Sequence, residues 1–274
     1  MILDDFGGTM RSSWQKYGVF LFWLCLLYPA SLQARGGKAA PLSYEVNDAF
    51  CSALEQSAQE FLIRGHFRTD CESAAECRDR HAASIKYRTE KYGRFPGNGK
   101  GKWNARAPGY YAQKTSFMGL KVTLNQYVVA ALKCAERKIE KSCQECKPDK
   151  RYPNECKKKF PYKPRRTSGI RYKNTFRGGE VSNHVYGIAI DFDPTKNTCC
   201  GCVASWRNHP LCKKDLELYE RMIMPMCWVH IFEEYGFYWL GRDKLRDTMH
   251  FEFLGRLELI EEAVAAQSKS KSKP

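Results

Sequence analysis

The chain has 274 residues, 43% apolar and 13% aromatic, which allows one sizeable core and excludes a wholly disordered polymer. Lys and Arg number 45 against 30 Asp and Glu, a formal charge of +15. That imbalance favours an anionic partner: nucleic acid, acidic membrane or acidic cell-wall polymer.

The N-terminus narrows the choice. Residues 18–28 form an apolar run, preceded by Arg11 and Lys16 and followed by Pro29 and small residues up to Ala34. This is the order of a secretory signal peptide, so residues 1–34 are predicted to be a leader. The run is short for a membrane span. Asp4 and Asp5 are unusual in a leader, and Met10 would begin a better one. An uncleaved anchor is the alternative. Of the 13 cysteines one, Cys25, falls in the leader. The even remainder suits disulfides in a periplasmic or extracellular protein. Export removes nucleic acid as the obvious partner and leaves no membrane span after cleavage.

Residues 44–63 are predicted to be an amphipathic helix, with Val46, Phe50, Leu54, Ser57 and Phe61 on one face. Together with Cys51, Cys71 and Cys77 it suggests a Cys-containing helical accessory region over 43–110, near a Gly/Lys loop at 97–102. Leu124, Val128, Leu132, Ala135 and Ile139 predict a second helix over 123–140. The segment 141–166 holds ten Lys/Arg against three acidic residues, among four prolines. Regular helix is excluded there. It reads as a solvated, disulfide-pinned loop, with a wall-binding rim as the alternative.

Beyond it, Ile188, Ile190 and Phe192 alternate with Ala189, Asp191 and Asp193, the pattern of a half-buried strand. Residues 216–224 look helical. Pro225 opens a further helix with Trp228, Ile231, Phe232 and Tyr235 on one side and Gly236 as its stop. Residues 237–240 and 249–253 suit two strands, 256–266 a last helix, and the Ser/Lys tail 267–274 a disordered end. The mixture predicts an α+β fold, a small antiparallel sheet with packed helices and disulfides.

Two short segments carry the chemistry. His184 and Asp191 stand seven residues apart, and a turn at Gly187 can fold the imidazole over the strand face that Asp191 shares with Ala189. A larger residue than Ala189 would fill the space a metal needs. In the last strand His250 and Glu252 face one way while Phe251 and Phe253 pack inward, and Asp247 reaches the same face from the preceding turn. Alone, each set reads as a hydrogen-bonded structural pair. Together they offer two imidazoles, one carboxylate and a spare carboxylate, the inventory of a catalytic zinc site.

Ser182, His184, Gly187, Ala189 and Asp191, with Asp247, His250, Phe251 and Glu252, resemble the two motifs of the zinc D-alanyl-D-alanine carboxypeptidase and L-alanyl-D-glutamate peptidase family, which shares the hedgehog-type zinc fold. Gly236-Phe237-Tyr238-Trp239 with Gly241 resembles the aromatic-glycine stretch ahead of the second motif. The resemblance covers residues 113–256. It implies one Zn²⁺ held by His184, Asp191 and His250, with Asp247 as general base. Ser182 would orient the site or touch substrate, and Glu252 would support a ligand. The family's upstream Arg could be Arg171 or Arg177. Asp rather than Glu at 247 leans toward endopeptidases that cut L-Ala–D-Glu.

The implied activity is hydrolysis of an amide bond in peptidoglycan stem peptides, with the positive charge holding the enzyme on anionic wall polymer. The rival is a non-catalytic zinc protein of the same fold that binds wall or partner; the spare acid Asp247 argues against it. Cys199-Cys200-Gly201-Cys202 with Cys212 departs from the family pattern. Disulfides are the preferred reading over a second zinc shared with Cys143 and Cys146. A redox function lacks its βαβ context. His66, His81, His209 and His230 have no partnered spacing.

Overall fold

A computed structural model describes residues 37–63, 71–94, 103–174, 181–202 and 204–271. The leader, the 97–102 loop, His66 and Arg177 lie outside these residues. A short helix, α1 (Asp48–Ala53), and a long one, α2 (Ala74–Tyr92), come first among the described residues. A hairpin follows, β1 (Ala112–Phe117) with β2 (Leu120–Asn125), and then the long α3 (Gln126–Ser142). The second half carries β3 (Thr167–Ser168), α4 (Asn183–Tyr186), β4 (Ala189–Phe192), α5 (Pro210–Lys213), α6 (Met226–Glu234), β5 (Phe237–Trp239), β6 (His250–Phe253) and α7 (Leu257–Lys271). The four later strands form one antiparallel sheet in the order β3-β4-β6-β5. The α+β class with small antiparallel sheets is as expected.

The sheet has two chemically opposed faces. Ile190, Phe192, Phe251, Phe253, Phe237 and Trp239 lie on one and join Phe117, Trp228 and Phe232 in the core. Each such side chain contributes roughly 1.5–3 kcal/mol of burial. The opposite face presents Asp191, His250 and Glu252, and the pairing Ser168 to Asp191 and Asp191 to His250 brings them side by side. Every residue of β4 and β6 is buried. The strand predicted to be half-buried is therefore covered on both sides, its polar face by loops rather than by water.

Several predicted boundaries shift for identifiable reasons. The helix expected over 44–63 shrinks to α1. Asn47 caps its start, and beyond Leu54 the backbone bonds elsewhere, from Gln56 N to Glu234 O and Gln59 N to Leu254 O. Phe61 ends up 40% exposed, off the core. The helix expected at 123–140 starts three residues late because Leu124 belongs to β2 and Asn125 caps α3 through Tyr127 N. Met118 and Gly119, both at positive φ, turn the unpredicted hairpin. Residues 216–224 give only one 3₁₀ turn, Leu218–Arg221, since Asn197 Oδ1 accepts from Ile223 N and Met224 N. The last helix continues to Lys271, tied by Gln267 to Glu45, so the tail expected to be disordered is helical through that residue.

All twelve cysteines between Cys51 and Cys227 are paired: Cys51–Cys134, Cys71–Cys77, Cys143–Cys227, Cys146–Cys156, Cys199–Cys202 and Cys200–Cys212. Cys143 and Cys146 are thus not zinc ligands. The basic segment is a disulfide-pinned loop with one 3₁₀ turn, Glu155–Lys157. Among the described residues no helix is long and apolar enough to cross a membrane.

Helix α2 reaches the polar half of the molecule through one buried cation. Arg88 is fully buried. It donates to Val181 O and to Asn183 Oδ1 at the head of α4, bonds Ser84 O in its own helix, and lies 5.4 Å from the Tyr186 ring centre. Arg88→Met keeps the bulk but strands those acceptors, each at about 1–3 kcal/mol. Urea unfolding of the variant is expected to show a loss of that size per acceptor. A midpoint equal to wild type would show that Arg88 braces nothing.

Candidate metal centre

The imidazole of His184 is placed by a helix of a single turn. Ser182 caps it, with its Oγ accepting from His184 N. Gly187 stops it at φ +71, where a Cβ would sit 2.9 Å from Asn125 N. Chain reversal there returns Ala189 and Asp191 to the sheet beneath His184, as the Gly187 turn predicts. Ser182 is therefore a cap, 6% exposed, at the edge of the site.

His184 Nδ1 lies 2.7 Å from Gly169 O. A carbonyl only accepts, so Nδ1 carries the proton and Nε2 presents a lone pair inward. Gly169 can occupy that place because it has no side chain; a Cβ would fall 2.2 Å from Thr123 O. His184 Nε2 is 3.2 Å from Asp191 Oδ1 and 3.1 Å from His250 Nδ1, and His250 Nδ1 is 2.8 Å from Asp191 Oδ1. These atoms belong to the group His184, Asp191 and His250 that could hold a metal ion. Tetrahedral zinc with bonds of 2.0–2.1 Å separates its donors by about 3.3 Å. The donor set fits.

Outer contacts orient each ligand in the manner of protein zinc sites. Asp191 Oδ2 accepts from Ser168 Oγ at 2.8 Å and from Arg171 Nη2 at 2.6 Å, leaving Oδ1 to the imidazoles. His250 Nε2 donates to Glu252 Oε1 at 2.9 Å. Glu252 thus accepts from His250, and Arg171 reaches Asp191 from the rim of the cluster. Ser168 and Gly169 were not singled out in the sequence; a two-residue strand has no periodicity to betray it. Of the other histidines, His209 caps α5 and His230 contacts Tyr152, ordinary structural roles.

Electrostatics match. Burial lowers the His184 pKa despite the pull of Asp191. Burial alone would raise Asp191, yet the two imidazoles hold it well below the usual carboxylate range. His250 also meets a burial penalty, but Asp191 and Glu252 push it up to about 10.

Asp247 lies apart from this triad, 8% exposed, and its Oδ1 has no hydrogen-bond partner among the described residues. Burial pushes it up to about 7; nearby His250 opposes the shift, while Asp191 and Glu252 reinforce it.

Two outcomes follow. Ser168→Ala is expected to weaken zinc affinity roughly 10–100-fold, and His184→Ala or His250→Ala to abolish stoichiometric binding, read by metal analysis after dialysis. Full zinc occupancy in both histidine variants would remove the site. Asp247 titrates higher folded than its ordinary 3.8, so the unfolded chain releases its proton first. Metal-free protein then loses stability as pH rises from about 4 toward 7. Asp247→Asn should flatten that fall in urea titrations; an unchanged slope would contradict the buried carboxyl.

Residues 176–253 match the family model described as D-alanyl-D-alanine carboxypeptidase. No curated protein and no solved structure matches the chain. Over the matched stretch, which holds His184, Asp191, Asp247 and His250, the chain is similar to that peptidase family.

Proposed function

We propose that this chain is an exported zinc metallopeptidase that hydrolyses an amide bond in peptidoglycan stem peptides, of the L-Ala–D-Glu endopeptidase or D-Ala–D-Ala carboxypeptidase type, on a hedgehog-like fold. The carrying observation is the convergence of His184 Nε2, Asp191 Oδ1 and His250 Nδ1; the buried carboxyl of Asp247, its Oδ1 unbonded among the described residues, suits a base. The peptidase-family likeness supports hydrolysis and a cell-wall substrate. Six disulfides favour an oxidising compartment. Exposed Lys147, Lys150, Lys159, Lys163, Arg165 and Arg166 suit anionic wall polymer.

Zinc bound by the three ligands would supply a Lewis acid for the carbonyl and acidify water toward a pKa of about 7. The protein's own part is proton handling and orientation. Asp247, a buried carboxylate with Oδ1 unbonded among the described residues, takes a proton from the attacking water and returns it to the leaving amine. General acid–base help of this kind is worth roughly 10²–10⁴-fold. Asp191 keeps its inner oxygen aimed because Ser168 and Arg171 occupy the outer one. The Arg171 side chain, 38% exposed, can also meet a substrate carboxylate. Arg177 is the alternative for that role, and Ser182, which caps the turn carrying His184, orients the site or touches substrate.

Digestion of purified sacculi, followed by mass spectrometry of the muropeptides, tests the reading. Loss of terminal D-Ala marks a carboxypeptidase, and scission after L-Ala an endopeptidase. Asp247→Asn should retain zinc and lower kcat roughly 10²–10⁴-fold. No new muropeptide from zinc-loaded wild type would favour the non-catalytic binder, and equal turnover by the variant would discharge Asp247 as base.

A further inference from the structure

The insertion carrying Cys199, Cys200, Cys202 and Cys212 is not accounted for by the metal centre, yet it lies against the proposed base. Cys199 and Asp247 form an isolated antiparallel bridge. Around it, Gly201 N donates to Leu245 O at 2.7 Å, and Thr248 donates to Thr198 O through both its N, at 2.8 Å, and its Oγ1, at 3.0 Å. Cys202 Sγ lies 3.6 Å from Asp247 Oδ2, and Cys199 Sγ 3.7 Å from Leu245 O. A disulfide sulfur has no hydrogen to donate, so these are packing contacts, and the sulfur takes the place of water beside the carboxylate. The fit is close: a Cβ on Gly201 would fall 2.5 Å from Lys244 O. Cys199, Thr198 and Thr248 are fully buried.

The 199–202 disulfide closes this turn on itself, with Cys202 N bonded to Cys199 O. Its neighbour Cys200–Cys212 ties the same turn outward to α5. From the far side Asp247 N bonds Leu240 O. The Asp247 segment is thus gripped between the sheet end and a covalently closed loop.

We propose that the Cys199–Cys202 disulfide is a positioning clamp for Asp247, and that opening it releases this carboxylate while leaving the three metal ligands in place. A small dithiol would open it by exchange. The dithiol gives two electrons and two protons, becomes a cyclic disulfide, and leaves two cysteine thiols. The catalytic consequence rests on Asp247 being the base; the clamp itself does not.

The test uses the mature zinc-loaded protein, the pair Cys199→Ala/Cys202→Ala and the control pair Cys200→Ala/Cys212→Ala. In the first pair, amide hydrogen exchange over 243–249 should quicken about tenfold or more, with β1–β2 exchange unchanged. Its kcat should fall at least about tenfold, the scale of a slightly misplaced group, with KM, zinc content and the visible spectrum of the cobalt-substituted form unchanged. Dithiol should slow wild type and leave this pair unaffected; the control pair should stay within about twofold of wild-type kcat. Equal exchange at 243–249 would overturn the clamp. So would loss of β1–β2 protection or of zinc, which would make the bridge a general staple. If wild type cuts no wall peptide, the hydrolase reading falls and the exchange comparison still decides the clamp.

Discussion

The structure depends on where a buried carboxylate can be tolerated. Asp191 stands on a strand with no access to water, and such a charge survives only among partners that satisfy both oxygens. Its outer oxygen takes a hydroxyl and a guanidinium, its inner one two imidazoles. Those four partners come from β3, the segment following it, α4 and β6, so satisfying one carboxylate fixes the relative placement of four stretches of chain.

The apolar half answers to a different constraint. Period-2 alternation on β4 and β6 sends Ile190, Phe192, Phe251 and Phe253 one way, and the same alternation sends the ligands the other. One register thus sets both the core and the chemistry. A slip by one residue would bury the His250 imidazole and the Asp191 carboxylate in the aromatic cluster and expose phenylalanines, so the hydrophobic effect selects the geometry of the candidate site.

This coupling explains what could be read from the amino acids alone. The Gly turn and strand alternation place His184, Asp191 and His250 locally, but alone they read as hydrogen-bonded pairs, and only the resemblance to the two peptidase motifs joined them into one ligand set. Helix α6 was legible through Pro225, its apolar face and Gly236, and here its range is Met226–Glu234. The failures are tertiary. Residues 44–63 have a helical pattern, but Gln56 and Gln59 find better backbone partners far along the chain, at Glu234 and Leu254. Leu124 fits a helix face and a strand equally well, and the hairpin partner decides. Ser168 and Gly169 act through register and close approach, which no spacing rule announces. The cysteine count predicted disulfides, whereas their pairing needed three-dimensional proximity.

The buried guanidinium of Arg88 has a consequence for dissecting the protein. The stretch that matches the peptidase family begins at residue 176, after Ser168, Gly169 and Arg171 and far after α2. A fragment cut at that boundary would keep both imidazoles and both aspartates but lose the groups that orient them, and Asn183 would face a hole where α2 had been. Minimal expression units for this chain therefore have to start upstream of residue 74, because the first half of the polypeptide is the internal scaffolding of a centre whose ligands all lie in the second.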